Sequence, residues 1–383
     1  MLLNYNVKDF FPAVRNKLLA LSGGVILHKA YKVLAINPGS TSTKVAVYAD
    51  ATCLFEQVIR HNTEELKDFN TINDQFTFRR SLVEQELAKR DIKLSDLDAA
   101  VGRGGPLKPM KSGTYLVNDR MCDDLLNHVQ TEHVSKLGGL IARSLADKVG
   151  IPSFIVDPVS VDEFEPLARI TGIPEIKRPS LFHALNLKAV AHRVANDLGI
   201  DYYNASFVMV HLGGGISVGI QRNGKMIDVS NPNDTGPFSP ERAGSIPTGG
   251  LVKMCFSGKY TQKEMEGKLI GNAGLVAHLG TNDARQVEER IAKGDLEAET
   301  VYKAMAYQVA KEIGAMATVV NGELDGIILT GGLAHSNLLV GWIKERIEFI
   351  AKVYVYPGED ELQALVEGAM RVLRGEEQAQ IYE

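Results

Sequence analysis

A chain of 383 residues, 45% hydrophobic and 23% charged, is long enough for two or three domains and for a large core without covalent staples. Its formal net charge of −5 leaves no broad basic field for nucleic acid or an anionic membrane, although local phosphate pockets stay open to it. Cys53, Cys122 and Cys255 are far apart and odd in number, which argues against a disulfide framework or a zinc site and for reduced thiols in the cytoplasm, and no apolar run approaches a membrane span.

Residues 1–31 read as an N-terminal extension outside the core. Leu18 to Leu27 is mildly apolar behind Arg15 and Lys17, but it contains Ser22-Gly23-Gly24 and no convincing signal-peptide cleavage site. The first strand is expected at Val33–Ile36, followed by the tight polar loop Asn37–Thr43 and a second strand, Lys44–Tyr48. The same design returns at Phe207–Val210, the loop His211–Gly215, and Ile216–Ile220, then passes through Asn223-Gly224, a type I′ hairpin signal, into Lys225–Val229. Two such units, one opening each half of the chain, suggest a duplicated domain with two phosphate-sized loops facing one cleft. Helices are expected over 76–90, 119–148 with a break at Gly138-Gly139, 181–198, 297–320, 336–351 and 360–373; in the fourth, Val301, Met305, Val309 and Ile313 recur on one face. Short buried strands precede several of them, at Ala99–Val101, Phe154–Val156 and Ile327–Thr330, which gives an α/β class. Glycine and proline cluster at 102–113, 230–250 and 267–280, marking long loops. A hinge is expected near Ile151-Pro152 and a return to the first domain near Pro357-Gly358. The expected division is 32–152 plus 358–383 for the first domain and 153–357 for the second.

Asn37-Pro38-Gly39-Ser40-Thr41-Ser42-Thr43-Lys44 is rich in hydroxyls and ends on a lysine. Backbone N–H groups of a tight turn converge on anions; the Ser40 and Ser42 hydroxyls and the Lys44 ammonium add donors and charge. It is not a Walker A loop, because the spacing differs and a strand follows. A polar β-turn with an incidental lysine would look the same. Gly213-Gly214-Gly215 is more specific: three glycines after an apolar strand clear all side chains from one spot, where a triphosphate fits better than a β-bulge does. Gly331-Gly332, at the carboxyl end of a buried strand, suits a flat nucleoside, though such pairs are common.

These loops occur in the order phosphate 1, phosphate 2 and adenosine of the acetate and sugar kinase, heat-shock-70 and actin superfamily. Val101-Gly102-Arg103-Gly104-Gly105-Pro106-Leu107-Lys108-Pro109 resembles the glycine–arginine stretch of butyrate kinases. So do His61–Leu66, Asp74-Gln75, Phe78-Arg79, Phe182-His183-Ala184-Leu185-Asn186 and Gly236–Gly244, so that the resemblance spans about residues 32–375. It implies a duplicated ribonuclease H-like (actin-like ATPase) fold and a kinase moving the γ-phosphoryl of ATP onto butyrate or a similar short-chain acid. Asn37, Ser40, Ser42, Lys44, His211, Gly213, Gly214, Gly215, Gly331 and Gly332 would bind ATP. Mg²⁺ is implied as cofactor, and the partners are ATP or ADP and a carboxylate, in a homo-oligomer, a dimer or larger, that binds neither nucleic acid nor membrane. Acetate or propionate kinase is the neighbouring alternative, and a non-kinase actin-like ATPase a more distant one.

A carboxylic acid, with a pKa of about 4.3, is already an anion at neutral pH, so no general base is needed. Alignment and positive charge must bring two anions together. Arg103 can fork with the substrate carboxylate or pair with a surface acid. By the resemblance, His183 stabilises the transferring phosphoryl group and Asp157 orients the centre, where it could instead form a turn before Pro158. The second catalytic arginine of acetate kinases lies in a turn that here reads Ile246-Pro247-Thr248-Gly249-Gly250, without arginine, and Arg242 is the substitute candidate. Acetate kinases carry a metal-linked glutamate where this chain has Asp360 and Glu361; Asn37 would join it through water. Acids opening a helix would also serve its dipole.

Overall fold

The computed structural model describes residues 30–128 and 133–383, so the expected extension lies outside the described residues apart from its last two positions, as do residues 129–132 of the helix expected over 119–148. The chain forms two compact units, one running up to Val161 and resuming at Asp360–Glu383, the other Asp162–Glu359. Among the described residues no helix is long and apolar enough to cross a membrane.

The first unit is built on a seven-stranded sheet in the order β12-β5-β6-β4-β1-β2-β3. Strands β1 (Lys32–Gly39), β2 (Ser42–Ala49) and β3 (Thr52–Arg60) form an antiparallel meander. Strand β4 (Ala99–Arg103) runs parallel to β1, and β6 (Ser153–Val156) parallel to β4. The edge is completed by β5 (Thr114–Leu116) and by β12 (Gln380–Ile381) from the chain's end. Val33 to Ile36 are wholly buried, as a strand covered on both faces must be. The loop expected at Asn37–Thr43 is tighter than its sequence suggests: pairing runs to Gly39–Ser42 and leaves only Ser40-Thr41 as the turn.

Helices α1 (Thr63–Lys67), α2 (Gln75–Ala88), α3 (Asp119–Asn127) and α4 (Lys136–Asp147) follow in this unit, and α12 (Glu361–Leu373) returns to it. The helix break expected at Gly138-Gly139 is corrected. Both glycines lie inside α4 and bring it against the sheet: a Cβ on Gly138 would sit 2.6 Å from the Arg103 amide nitrogen. The α4 and α12 helices cover opposite faces. A Cβ on Gly139 of α4 would meet Ile155 at 2.8 Å, and one on Gly368 of α12 would meet the next residue, Val156, at 2.5 Å. The expected hinge at Ile151-Pro152 is also corrected. Strand β6 follows it directly and pairs with β4 in this sheet, so the unit ends at Val161.

The second unit holds a five-stranded sheet, β11-β10-β7-β8-β9. Here β7 (Ser206–Leu212), β8 (Ile216–Arg222) and β9 (Lys225–Val229) form the meander, and β10 (Gly326–Gly331) and β11 (Val353–Pro357) extend it in parallel. Asn223 and Gly224 both take positive φ, 53° and 73°, as a type I′ turn requires. The order β9-β8-β7-β10-β11 repeats β3-β2-β1-β4-β6, so the duplication visible in the two hairpins extends to whole sheets. Helix α5 (Ala184–Leu198) packs on β7 and β10. The opposite core joins Val208, Val210, Leu212 and Val218 to α10 (Leu296–Thr318) and α11 (Asn337–Ile347). The glycine- and proline-rich stretches expected as loops near 248 and 267–280 contain α6 (Thr248–Cys255), α7 (Gln262–Leu269) and α8 (Gly274–Leu279), and α9 (Ala284–Ala292) follows.

Candidate active site

Strand alternation selects the groups that meet in the first unit. Ile36 and Ile155 belong to the core beneath α4, and a Cβ on Gly102 would strike α4. The next residues along β1 and β4, Asn37 and Arg103, therefore face α12, at the carboxyl ends of two neighbouring parallel strands. There Asn37 Nδ2 donates to Glu361 Oε2 at 2.5 Å, and Arg103 Nη1 pairs with Glu361 Oε1. The buried Arg103 Nε has no partner among the described residues, so the guanidinium keeps a donor in reserve. Lys44 lies opposite Asn37 in the β1–β2 register and has no acidic partner among the described residues. Of the two acids opening α12, Glu361 joins this cluster. Asp360 instead lies near Tyr48, whose pKa is raised by burial and by the negative groups around it. Asp157, following β6, has φ +37°, and its Oδ1 accepts from Gly113 N–H at 2.7 Å, so it pins the 102–113 loop.

The same logic operates in the second unit. His211 alternates with Val210 and Leu212, so it faces α5, and the register sets it opposite Ser217. His183 is the N-cap residue of α5. Its Nδ1 lies 2.9 Å from Ser217 Oγ, and its ring stacks on His211 with centroids 3.8 Å apart. Asn186 Nδ2 donates to the Gly358 and Glu359 carbonyls, which leaves its Oδ1 to accept from His211 Nδ1 at 2.8 Å. His211 Nε2 lies 3.4 Å from Glu359 Oε1. The glycine loop next to these rings is crowded: a Cβ on Gly213 would lie 2.8 Å from His211 Nε2, and one on Gly215 3.3 Å from Arg242 Cζ. The Gly214 carbonyl accepts from Ser239 Oγ and the Glu241 N–H, so the Gly236–Gly244 segment braces the loop. Arg242 pairs with Asn233, burial lowers its pKa, and its Nε has no partner among the described residues. Both arginine candidates thus retain an unpaired donor.

Gly331, at φ +90°, leaves no room for a Cβ against Leu212 and ties the end of β10 to Gly358. Gly332 opens on a pocket of about 740 Å³ that is also lined by Asn282, Asp283, Arg285, Glu288 and Ser336. At its wall the exposed Arg285 guanidinium donates from Nε and Nη2 to the Asp283 carboxylate, at 3.0 Å each. Sequence reasoning missed these residues, and Ser217 and Glu359 as well. Ser217 was within reach, since a three-residue glycine loop between two strands sets it opposite His211.

Residues 176–350 match the model of the Acetokinase family. A protein of Clostridium botulinum (strain Alaska E43 / Type E3) named "Probable butyrate kinase" is 53% identical over 354 residues, which span 92% of this chain and all of that protein. In fold, the chain is similar to the crystal structure of Porphyromonas gingivalis acetate kinase (TM-score 0.72, 19% identity, 90% of this chain and 100% of that one). It is also similar to a propionate kinase from Francisella tularensis subsp. tularensis SCHU S4 (TM-score 0.67, 17% identity, 88% of this chain and 98% of that one). With its duplicated sheets, this is the actin-like ATPase architecture, and the chain belongs to the acetokinase family.

Proposed function

We propose that this chain catalyses the reversible transfer of the γ-phosphoryl group of ATP to butyrate or a similar short-chain or branched fatty acid, giving an acyl phosphate and ADP by direct in-line attack. The observation that carries the reading is the meeting of Asn37, Arg103 and Glu361 at the carboxyl ends of β1 and β4. It sets a cation with a spare donor, suited to a carboxylate, beside oxygen ligands suited to a hard metal. The name of the relative at 53% identity supports butyrate over a shorter acid.

In the first unit, Arg103 orients the acid and the Asn37–Lys44 hairpin receives phosphate oxygens. Asn37 and Glu361 would supply hard oxygen donors that fit Mg²⁺, an ion that, bound with ATP, would neutralise charge on the phosphate oxygens. In the second unit, Gly213–Gly215 takes phosphate against the backbone. His183 Nε2 and Arg242 offer donors to the oxygens of the phosphoryl group in flight, and the pocket at Gly332 takes adenosine. No residue has to remove a proton, because the acid arrives ionised. The free Cys53, Cys122 and Cys255 support a cytoplasmic location. Helix α6, exposed everywhere except at the half-buried Leu251, with Val252 and the following Phe256 open, supports a homo-oligomer, which light scattering would measure.

The test traps acyl phosphate as the hydroxamate, with ATP, Mg²⁺ and acids of two to five carbons. Butyrate should give the highest kcat/KM, and Arg103→Ala should lower it about 100-fold, the effect of losing one charge-stabilising donor. A maximum at acetate would reject butyrate as the acceptor. ATP hydrolysis indifferent to added acid would reject the kinase.

A further inference from the structure

The hairpin that carries Asn37 is held from behind by a buried arginine. Arg79, on α2, is fully buried. Its Nη1 donates to the Gly39 carbonyl at 3.0 Å, the Ser42 carbonyl at 2.9 Å and Thr43 Oγ1 at 3.0 Å. Nη2 donates to the Ser40 carbonyl at 3.2 Å, and Nε to Gln75 Oε1 at 3.0 Å. Among the described residues no carboxylate pairs with it, and burial pulls its pKa down to about 10. A guanidinium buried in this way is costly unless its protons are taken up, and here four of its acceptors lie on one hairpin. The remaining turn carbonyl, Thr41, accepts from the His61 N–H at 2.9 Å, and His61 Nε2 meets Thr43 Oγ1 at 2.8 Å.

Every carbonyl from Gly39 to Ser42 is therefore engaged within the protein. A trans peptide points its N–H opposite its C=O. Drawing the Gly39 and Ser40 carbonyls toward Arg79 turns the Ser40 and Thr41 N–H groups the other way, on a turn whose two residues are exposed. The open side of the turn backbone then presents N–H donors and no carbonyl acceptors, which is what a polyphosphate requires.

We propose that Arg79 is a positioning residue for the phosphates of the nucleotide: it gathers the carbonyls of the hairpin on its own side and so leaves the turn's backbone with donors only on the side open to an anion. The inference rests on the reading of this hairpin as an ATP loop. Arg79 itself touches neither substrate.

Arg79→Lys keeps the charge but loses the planar fork, and Thr43→Val removes one acceptor of the network while keeping a branched side chain. Circular dichroism and thermal melts would establish folding. Calorimetry would then compare Mg²⁺ with a non-hydrolysable ATP analogue against AMP, and steady-state kinetics would give KM for ATP and for butyrate. Arg79→Lys should weaken the ATP analogue and raise KM for ATP by about tenfold, the factor for one charged hydrogen bond. AMP affinity and KM for butyrate should stay within about twofold, and Thr43→Val should show the same pattern with a smaller loss. Unchanged binding of the analogue, or an equal weakening of all three ligands, overturns the proposal. If Arg79→Lys does not fold, Thr43→Val decides by the same criteria. A wild-type protein that neither binds the analogue nor makes acyl phosphate overturns the underlying reading instead.

Discussion

His61 is 6% exposed and lies beside Arg79, and burial first, then that cation, pulls its pKa from 6.5 to about 4. Above about pH 6.5 both folded and unfolded chains carry the neutral imidazole, and the stabilisation from His61 is complete. As pH falls from 6.5 toward 4, the unfolded chain gains a proton that the folded chain refuses, so stability is lost over that window; below it, both states are protonated. His61→Gln cannot titrate and keeps an amide able to hydrogen-bond Thr43 Oγ1. The stability difference between wild type and His61→Gln in urea should shrink on acidification by at most about 1.4 kcal/mol per pH unit. A difference that does not change between pH 7 and 4 would contradict the neutral, buried imidazole. Arg103 became a candidate through the chemistry that two anions require, and Glu361 through the resemblance to acetate kinases. Their meeting was not legible in the sequence, because it depends on side-chain alternation in strands and on a partner 258 positions away.

Element boundaries show the same division between pattern and context. Gly138-Gly139 reads as a helix break by propensity, yet both lie within α4, because only a glycine lets that helix approach the Arg103 backbone. Gly138→Ala should therefore cost about 1–3 kcal/mol through overpacking and should lower activity by displacing Arg103. Gly314, inside α10, is the control: a Cβ there would meet nothing within 4 Å. Gly314→Ala should stabilise by about 0.5–1 kcal/mol through helix propensity alone. Chemical denaturation of the two variants, with kcat/KM measured alongside, checks both signs. Loss of stability in both would mean that the spacing around α4 is not special. The long α10 was legible from its four-residue apolar spacing. The short α6 was not, because Thr248-Gly249-Gly250 carries a loop composition and no residue of the helix is buried.

At the scale of the molecule, the repeated hairpin announced a duplication, and the repeated strand order bears it out. The return of the last helix to the first unit was expected too; what the sequence concealed is where the first stretch of that unit ends and which strand completes its edge. Ile151-Pro152 has the composition of a hinge, but parallel pairing of β6 with β4 outweighs it, and the C-terminal segment supplies α12 and the edge strand β12. Tyr382 anchors that return. It is buried, its hydroxyl donates to Asp124 Oδ2 at 2.8 Å, and burial together with Asp124 pushes its pKa up to about 12. Asn118 Nδ2 also donates to its carbonyl. Removing the hydroxyl by Tyr382→Phe withdraws a donor from a buried carboxylate and should cost about 1–2 kcal/mol, while Tyr382→Ala also empties an aromatic site and should cost about 3–5 kcal/mol. Because the anchor belongs to the first unit alone, hydrogen exchange in Tyr382→Ala should accelerate across β4, β5, β6 and α3 and leave β7, β8 and β10 protected as in the wild type. Equal acceleration in both sheets would mean that the two units unfold as one, and Glu361 would then owe its place to the whole chain instead of to the short segment that ends at Tyr382.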